Sequence, residues 1–287
     1  MRMFNKVTII GVGLIGGSIG LAVKKSGLAE EVTGVFRRSS TMKKALKRKS
    51  VDKGTMSVRD GMHDADLIIL ATPVSSIPLL ARDAVDFAKE GAIITDVGST
   101  KRWITAQIDK MTSRSGIFFV GSHPMAGSEH TGVEFARDDL MEGAPCIVVK
   151  TVKTRRSALR KVTRFWRALG AEVEVMSPSR HDKSVSLISH LPHIIAFSLA
   201  GAVPAKEIAY AAEGFKDTTR VASSDPELWA DIFMTNKAEV VKAGKLFINY
   251  FNTIKKALSD GDYGKLVRIL RRSKAKRDKF VIYGKKR

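Results

Sequence analysis

The chain has 287 residues, 44% of them apolar, which suffices for one large or two ordinary domains with a packed core. Its single cysteine, Cys146, excludes an internal disulfide and a multi-cysteine zinc site, so we expect a reducing, cytoplasmic environment and predict no metal site. The formal net charge of +20 raises the question of nucleic-acid binding. The N-terminal residues lack the pattern of a secretory signal, and the apolar stretch at 191–203 is too short to span a bilayer, so no membrane partner is expected.

The positive charge is concentrated in three segments. Residues 37–49 hold seven Lys or Arg and no acid, residues 150–167 hold eight and no acid, and residues 265–287 hold eleven against Asp278 alone. The second and third segments carry apolar residues at helical spacing, which is typical of amphipathic helices with solvated charged faces. Aromatic residues are not interleaved as a base-stacking surface requires. The charge therefore favours attraction of anionic small molecules over a specific nucleic-acid partner.

Short β-branched segments alternate with amphipathic ones through the first 177 residues. Strands are predicted at residues 6–11, 32–36, 67–73, 92–98, 117–124, 145–150 and 172–177, and helices at 76–89 and 154–169. This alternation predicts an α/β fold with an open, doubly wound parallel sheet of the Rossmann type and helices on both faces. From Pro178 onward long helical patterns replace the strands. The chain is therefore divided into a dinucleotide-binding domain at 1–177 and an all-helical domain at 178–287.

A glycine-rich motif lies at the mouth of the first predicted strand. Gly11, Gly13 and Gly16 form G-x-G-x-x-G in VTIIGVGLIGGS, which opens a helix. Gly11 permits a tight turn, Gly13 lets a pyrophosphate approach the backbone, and Gly16 lets helix and sheet pack closely. The N–H groups at the helix start, beginning with Leu14 and Ile15, then face the phosphate. This context predicts dinucleotide binding rather than a merely structural turn.

The end of the second predicted strand bears on which dinucleotide is bound. An NAD enzyme has Asp or Glu here to bind the ribose 2′-hydroxyl, whereas this chain has Phe36, followed by Arg37, Arg38 and Ser39. Guanidinium and hydroxyl groups bind a 2′-phosphate that an acid would repel. We therefore predict NADP as the cofactor, with NAD as a weaker alternative. The competing interpretation is that both arginines only decorate an exposed turn.

Three further loops fall at strand ends, on the side where ligands bind an open α/β sheet. They are ATPV at 71–74, TDVGSTK at 95–101 and GSHPMAGSEHTG at 121–132. The cofactor contacts predicted in the first two are Ala71, Thr72, Pro73, Asp96 and Gly98. The third loop holds a histidine directly before a proline, which is either an incidental residue of a turn or a catalytic group.

A polar stripe follows in the helical region. Polar residues recur at intervals of three and four among leucines and isoleucines: Asp182, Ser186, Ser189, His190 and His193. A buried polar stripe must bond to protein groups or to a ligand. Pro192 frees one backbone carbonyl and is expected to kink the helix. Taken alone, each histidine is either a hydrogen-bonded core residue or a ligand contact.

Six motifs, in one order, resemble those of the prephenate/arogenate dehydrogenase family of tyrosine biosynthesis. They are GVGLIGGS, ATPV, DVGSTK, GSHPMAGSEHTGVE, MSPSRHDKSVSLISHLPHIIAFSL and GFKDTTRVASSDPELWADIF, and they cover most of residues 5–235. The resemblance implies oxidation of a ring carbinol at C4, with hydride transfer to the nicotinamide and loss of the C1 carboxylate as CO2. The ring becomes aromatic. The substrate is prephenate, arogenate or both.

The resemblance also implies roles in the histidine loop. His123 is the base or strong hydrogen-bond acceptor for the carbinol proton, a role that suits a group with a near-neutral pKa. Ser99 orients its imidazole from the neighbouring loop. Glu129 matches a family position at the cleft entrance, where it acts as a gate; an ordinary surface carboxylate is the alternative.

On the substrate side, the resemblance places His193 at the substrate side chain, with Ser189 as a further contact. It leaves His190 structural or near the site. The implied substrate is a dianion and requires a fixed cation, and Arg220 of GFKDTTR matches the residue that binds the side-chain carboxylate.

One alternative enzyme class remains, another NADP-dependent oxidoreductase of the β-hydroxyacid dehydrogenase or pyrroline carboxylate reductase type. Those enzymes lack SHPMAGSE and SHLPH together. Segments after residue 205, such as LFINYFNTIKKAL, carry more apolar surface than a small helical domain needs for itself. We therefore predict a homodimer, which the resemblance also implies. The sequence leaves the preference between prephenate and arogenate open.

Overall fold

A computed structural model of the chain describes residues 2–112, 115–127 and 130–285, with side chains as far as Lys279. The chain forms two compact units, Met1–Lys237 and Ala238–Arg287. The predicted domain boundary between residues 177 and 178 marks a change from strands to helices within the first unit. As a domain boundary it stays a prediction.

The first unit is built on a six-stranded sheet. Its strands are β1 (Phe4–Ile10), β2 (Ala29–Val35), β3 (Lys53–Thr55), β4 (Leu67–Leu70), β5 (Ile93–Asp96) and β6 (Phe118–Val120). All are parallel, in the order β3-β2-β1-β4-β5-β6. The predicted doubly wound sheet is confirmed, and its strand order reverses between β1 and β4, where such sheets bind ligands. The sequence analysis missed β3, whose three residues are too few to show alternation.

Six helices accompany these strands: α1 (Leu14–Lys25), α2 (Ser39–Lys47), α3 (Val58–Met62), α4 (Ile77–Phe87), α5 (Arg102–Thr112) and α6 (Arg156–Ala168). Successive residues of β1 supply two different cores. Ile9 packs with Ile19 of α1, whereas Ile10 packs with Ile77 of α4 and Ile104 of α5. Side chains alternate across a strand, so the sheet is apolar on both faces and helices cover both, as predicted.

A second, three-stranded sheet contains β7 (Ser122–Pro124), β8 (Pro145–Val149) and β9 (Glu172–Met176). β7 is antiparallel to β8, which is parallel to β9. The predicted single strand at 117–124 is therefore wrong, because it divides at Gly121 into β6 and β7. A Cβ atom at Gly121 would lie 2.9 Å from Val149 and 3.3 Å from Asp96, so only glycine permits this close approach of the two sheets.

The chain beyond β9 is helical in the part that the structure describes. The first unit adds α7 (Pro178–Val185), α8 (Leu191–Ala202), α9 (Ala205–Ile208), α10 (Glu213–Thr219) and α11 (Pro226–Thr235). A π-helical turn at Ser186–His190 joins α7 to α8. Pro192 has no N–H to continue the regular hydrogen-bond ladder, so the expected disturbance of the helix takes the form of this wider turn.

The continuous helix Pro178–Ala202 is longer than the apolar stretch seen in the sequence, and it is long and apolar enough to cross a membrane by length and composition alone. Its polar residues argue for packing within the protein instead. Asp182 and His190 are buried and hydrogen-bonded to groups outside the helix. The absence of a membrane partner stays a prediction.

The second unit consists of the long helices α12 (Lys237–Ser259) and α13 (Tyr263–Lys285), the first of which begins at the unit boundary. Several large apolar side chains of α12 are exposed to solvent: Leu246, Phe247, Ile248, Tyr250, Phe251 and Leu258. A helix that exposes this much apolar surface is typical of an interface.

Candidate active site

The loops that follow β1, β4 and β5 meet at one edge of the sheet. The N–H of Ala71 donates to the carbonyl of Ile10 (2.8 Å), and the N–H of Val97 donates to the carbonyl of Leu70 (3.1 Å). These bonds bring the segments at 71–73 and 97–99 beside the glycine motif. The three loops therefore adjoin at the carboxyl ends of these strands, and a ligand crevice there stays a prediction.

The glycine motif fits a dinucleotide pyrophosphate. Gly11 has φ +92°, and a Cβ there would collide with the carbonyl of Ala71; a Cβ at Gly16 would collide with the carbonyl of Gly11. Gly13 faces open space, with nothing within 4 Å of a Cβ position. It also begins α1 without a side-chain cap. The N–H groups of Leu14 and Ile15 are thus at a helix start that an anion can reach.

The predicted cofactor contacts after β2 differ in their exposure to solvent. Arg37, Arg38 and Ser39 are exposed at the start of α2. The side chain of Phe36, by contrast, is only 5% exposed and belongs to the core. Its ring lies within 3.2 Å of the Cβ positions of Gly34 and Gly54. The predicted contact of Phe36 with the cofactor is therefore corrected, because only its backbone is available.

Asp96 is also corrected as a direct cofactor contact. Its carboxylate is fully buried and ion-paired with the equally buried ammonium of Lys101. It further accepts the N–H of Gly98 (2.9 Å) and the N–H of Ser122 (3.2 Å). The carboxylate thus holds the loop after β5 to the start of β7. Gly98 is also buried, and its predicted contact with the cofactor stays a prediction.

His123 lies on β7, close to the end of β5. The hydroxyls of Thr95 and Ser122 are 2.9 Å apart and join the two strands at this point. The imidazole is 9% exposed, and its Nδ1 lies 2.8 Å from Nε2 of His181. Among the described residues no hydrogen bond joins Ser99 to His123. The prediction that Ser99 orients this ring therefore has no support from a direct contact and stays a prediction.

His181 and Asp182, on α7, form a chain with His123. Nδ1 of His181 lies 2.7 Å from Oδ1 of Asp182. The same carboxylate accepts the N–H of Lys101 (2.8 Å) and the N–H of Arg102 (2.9 Å), at the start of α5. The polar stripe in the sequence included Asp182. His181 falls outside that spacing, and its role depends on tertiary packing that no local pattern reveals.

The histidines of this region favour the neutral form. Burial lowers the pKa of His123 well below its ordinary value of 6.5; repulsion from His181 and His190 when those rings are protonated, and from the ammonium of Lys101, lowers it further. Burial also lowers the pKa of His181, against the opposing effect of Asp182. The site thus contains neutral imidazoles at neutral pH, and a neutral imidazole is the form that accepts a proton.

His190 is fully buried. Its Nδ1 lies 3.2 Å from the side-chain amide of Asn236, whereas its Nε2 is buried without a hydrogen-bond partner in the described part of the chain. Burial lowers its pKa to about 4. These contacts support a structural role, and contact with substrate stays a prediction.

His193 is half-buried and stacks on Trp229 of α11, with ring centroids 3.4 Å apart. Its Nδ1 lies 2.9 Å from the backbone carbonyl of Ser189. Burial lowers the pKa of His193, and the positive charge of Arg220 adds to this effect. The exposed Arg220 is therefore near enough to influence His193, and the prediction that both contact one substrate stays a prediction. Trp229 was not identified from the sequence, although it lies within the motif PELWADIF.

Glu129, the predicted gate, lies outside the described residues. Among the residues that the structure does describe, no cluster of three His, Cys, Asp or Glu is placed to hold a metal ion.

Comparison with protein families gives two matches. Residues 19–175 match the model described as prephenate dehydrogenase, nucleotide-binding domain. Residues 177–272 match the model described as prephenate dehydrogenase, dimerization domain.

Individual proteins agree with these matches. The chain is 35% identical to a prephenate dehydrogenase of Bacillus subtilis over 284 aligned residues. The alignment covers 96% of this chain and 76% of the relative. A solved structure of prephenate dehydrogenase from Aquifex aeolicus, in complex with hydroxyphenyl propionate and NAD+, is 34% identical with a TM-score of 0.90, covering 96% of this chain and 98% of that one. Arogenate dehydrogenase of Synechocystis is 28% identical with a TM-score of 0.82, covering 96% and 99%.

The buried pair Asp96–Lys101 generates a stability prediction. Lys101→Met leaves the Asp96 carboxylate buried without a counter-ion, so the free energy of unfolding should fall by about 3–5 kcal/mol. Lys89→Met is the matched control: it removes a partly exposed partner of Asp66, 2.6 Å away, and should cost less than about 1 kcal/mol. Denaturant unfolding measures both. Adding Asp96→Asn to Lys101→Met should restore part of the lost free energy of unfolding. If Lys101→Met is no less stable than Lys89→Met, the assignment of Asp96–Lys101 as a buried ion pair is contradicted.

Proposed function

The chain belongs to the prephenate dehydrogenase family, and on that premise we propose that it oxidatively decarboxylates prephenate, arogenate or both in tyrosine biosynthesis. The observation that carries the proposal is the imidazole of His123 near the end of β5, whose Nδ1 is bonded to His181 and whose Nε2 makes no hydrogen bond to the described residues. A general base needs this arrangement. The alternative of a β-hydroxyacid dehydrogenase is disfavoured, because both family matches are to prephenate dehydrogenase.

When bound, the dinucleotide supplies the acceptor for the hydride that leaves ring carbon C4. His123 acts on the hydroxyl of the same carbon: Nε2 takes the carbinol proton as the C4 oxygen gains carbonyl character. The C1 carboxylate leaves as CO2, and its bonding pair makes the ring aromatic. The proton then returns to the phenol oxygen.

The other end of the substrate is assigned to the helical segments. Arg220 binds the side-chain carboxylate of a dianionic substrate, and His193, stacked on Trp229, contacts the keto or amino group. A guanidinium fork suits a carboxylate because it can donate two parallel hydrogen bonds. Prephenate and arogenate differ only at that keto or amino group, so steady-state kinetics with both substrates determine the preference.

NADP is proposed as the preferred cofactor. In support, the segment after β2 has no acidic residue to bind a ribose hydroxyl, and Arg37 and Arg38 are exposed at the start of α2. The helix start adds a favourable partial charge for a phosphate.

A homodimer and a cytoplasmic location complete the proposal. The second family match is to a dimerization domain, and α12 exposes an apolar surface that a second copy would cover. A single buried cysteine suits a reducing compartment.

The catalytic assignment gives a kinetic prediction. His123→Asn should lower kcat roughly 100- to 10,000-fold, the range for losing a positioned base, with cofactor and substrate binding nearly intact. His193→Asn is the comparison and should mainly raise KM. Because the pKa of His123 is depressed by burial, wild-type kcat/KM should stay level as the pH falls through 6.5 and decline only in more acidic solution. A His123 variant that keeps a tenth of kcat, or an acid limb above pH 6.5, would contradict the assignment.

The cofactor assignment gives a second prediction. Arg37→Ala and Arg38→Ala should each weaken NADP binding roughly tenfold to a hundredfold, the effect of one charge-assisted contact, and leave NAD kinetics nearly unchanged. Lys43→Ala removes a positive charge from the same helix away from its start and is the control. The measurement is kcat/KM for both cofactors. Preference of the wild-type enzyme for NAD, or equal loss with both cofactors, would reject the proposal.

The dimer is tested by light scattering at micromolar concentration, where we expect twice the 31.4 kDa chain mass. Leu246→Glu places a charge on the exposed apolar surface of α12 and should shift the mass toward the monomer. Lys245→Glu, on the neighbouring helix position, should leave the dimer intact. A wild-type monomer mass would exclude the dimer.

A further inference from the structure

His123 and His181 are joined by a buried hydrogen bond between Nδ1 of His123 and Nε2 of His181. We propose that His181, held by Asp182, is a positioning residue that fixes the tautomer of His123, so that Nε2 is always the nitrogen that accepts the substrate proton. The inference rests on the proposed function for its consequence in catalysis. Which nitrogen of His123 carries the hydrogen can be measured without any turnover.

The direction of each hydrogen bond follows from Asp182. A carboxylate has acceptors only, and this one already receives two backbone N–H groups from Lys101 and Arg102. Its position is therefore fixed by the start of α5. The nitrogen 2.7 Å away, Nδ1 of His181, must carry the hydrogen.

A neutral imidazole carries one N–H, so Nε2 of His181 is an acceptor. The ring nitrogen facing it, Nδ1 of His123 at 2.8 Å, must therefore be the donor. The second nitrogen of His123 then holds a free lone pair. His181 is completely buried, so water cannot replace it as the partner.

The hydrogen bonds from His123 to His181 and from His181 to Asp182 also stabilise the positive charge that His123 acquires with a proton. Positive charge on this ring is opposed by burial and by the ammonium of Lys101. As the proton arrives, the bond from His123 to His181 becomes charge-assisted and strengthens. The negative charge of Asp182 lies directly behind His181. His181 thus transmits the effect of a carboxylate to a base that the carboxylate does not touch, in the manner of the acid in a catalytic triad.

The first test is nitrogen-15 NMR of the histidine rings in the wild-type protein at neutral pH. The chain has six histidines, and His123→Asn identifies the His123 signals by their loss. We expect hydrogen on Nδ1 of both His123 and His181, with both Nε2 atoms unprotonated. Hydrogen on Nε2 of His123 would overturn the proposal, whatever any variant does.

The second test compares two substitutions of His181. His181→Phe keeps a ring but removes the acceptor, so His123 can place its hydrogen on Nε2. We expect kcat to fall at least about tenfold, and less than in His123→Asn measured alongside, with little change in KM. His181→Gln keeps an acceptor oxygen and should retain most of kcat. Ser186→Ala is the control, because its hydroxyl donates to the carbonyl of Lys183 in the preceding turn and makes no other hydrogen bond to the described residues.

Stability separates positioning from a purely structural role. If His181 only supports the fold, the Phe and Gln variants should lose activity in proportion to their thermal stability, with His123 still protonated on Nδ1. That outcome would overturn the proposal. If His181→Phe does not fold, the wild-type tautomer and the His181→Gln rate still decide the matter. A wild-type protein inactive on prephenate and arogenate would reject the proposed function, whereas the tautomer measurement would stand by itself.

Discussion

The carboxylate of Asp182 joins the parts of the protein on which the site depends. It caps the start of α5 through two backbone N–H groups and holds His181, which in turn contacts His123 on β7. The backbone carbonyl of Asp182 accepts the side chain of Asn236 as well. A buried carboxylate is tolerated only where its oxygens are satisfied, and here they bond to backbone N–H groups at the start of α5 and to the neighbouring His181 of α7. The contacts that hold α7 against the start of α5 therefore also hold His181 beside His123.

A second buried group performs a related task nearby. Asp96 and Lys101 neutralise each other and tie the loop after β5 to β7. Ion pairs at this depth contribute little net stability, because desolvation offsets attraction. Their value here is geometric, since they fix the backbone that carries His123. Burial of His123, with a smaller effect of the Lys101 ammonium, favours a neutral imidazole, which is the form a base requires.

The sequence predicted the features that depend on local spacing. Gly11, Gly13 and Gly16 were identified with their individual reasons, and the alternating sheet and the helical end of the chain followed from periodicity. The errors concern which way side chains face. Phe36 occupies the position of a ribose-binding acid but turns into the core, and Asp96 turns into a buried ion pair. His181 follows no periodic pattern, and only the packing of α7 on α5 and β7 brings it to His123. The division of strand 117–124 at Gly121 likewise depends on the approach of a second sheet.

The location of one hydrogen atom decides whether this arrangement prepares His123 for catalysis. Neutron diffraction from crystals of the wild-type protein, exchanged into deuterated buffer at neutral pH, would locate it directly. We expect deuterium on Nδ1 of His123, directed at His181, and none on Nε2. Deuterium on Nε2 of His123, with Nδ1 accepting from His181, would contradict the assignment of His123 as a base positioned by His181 and Asp182.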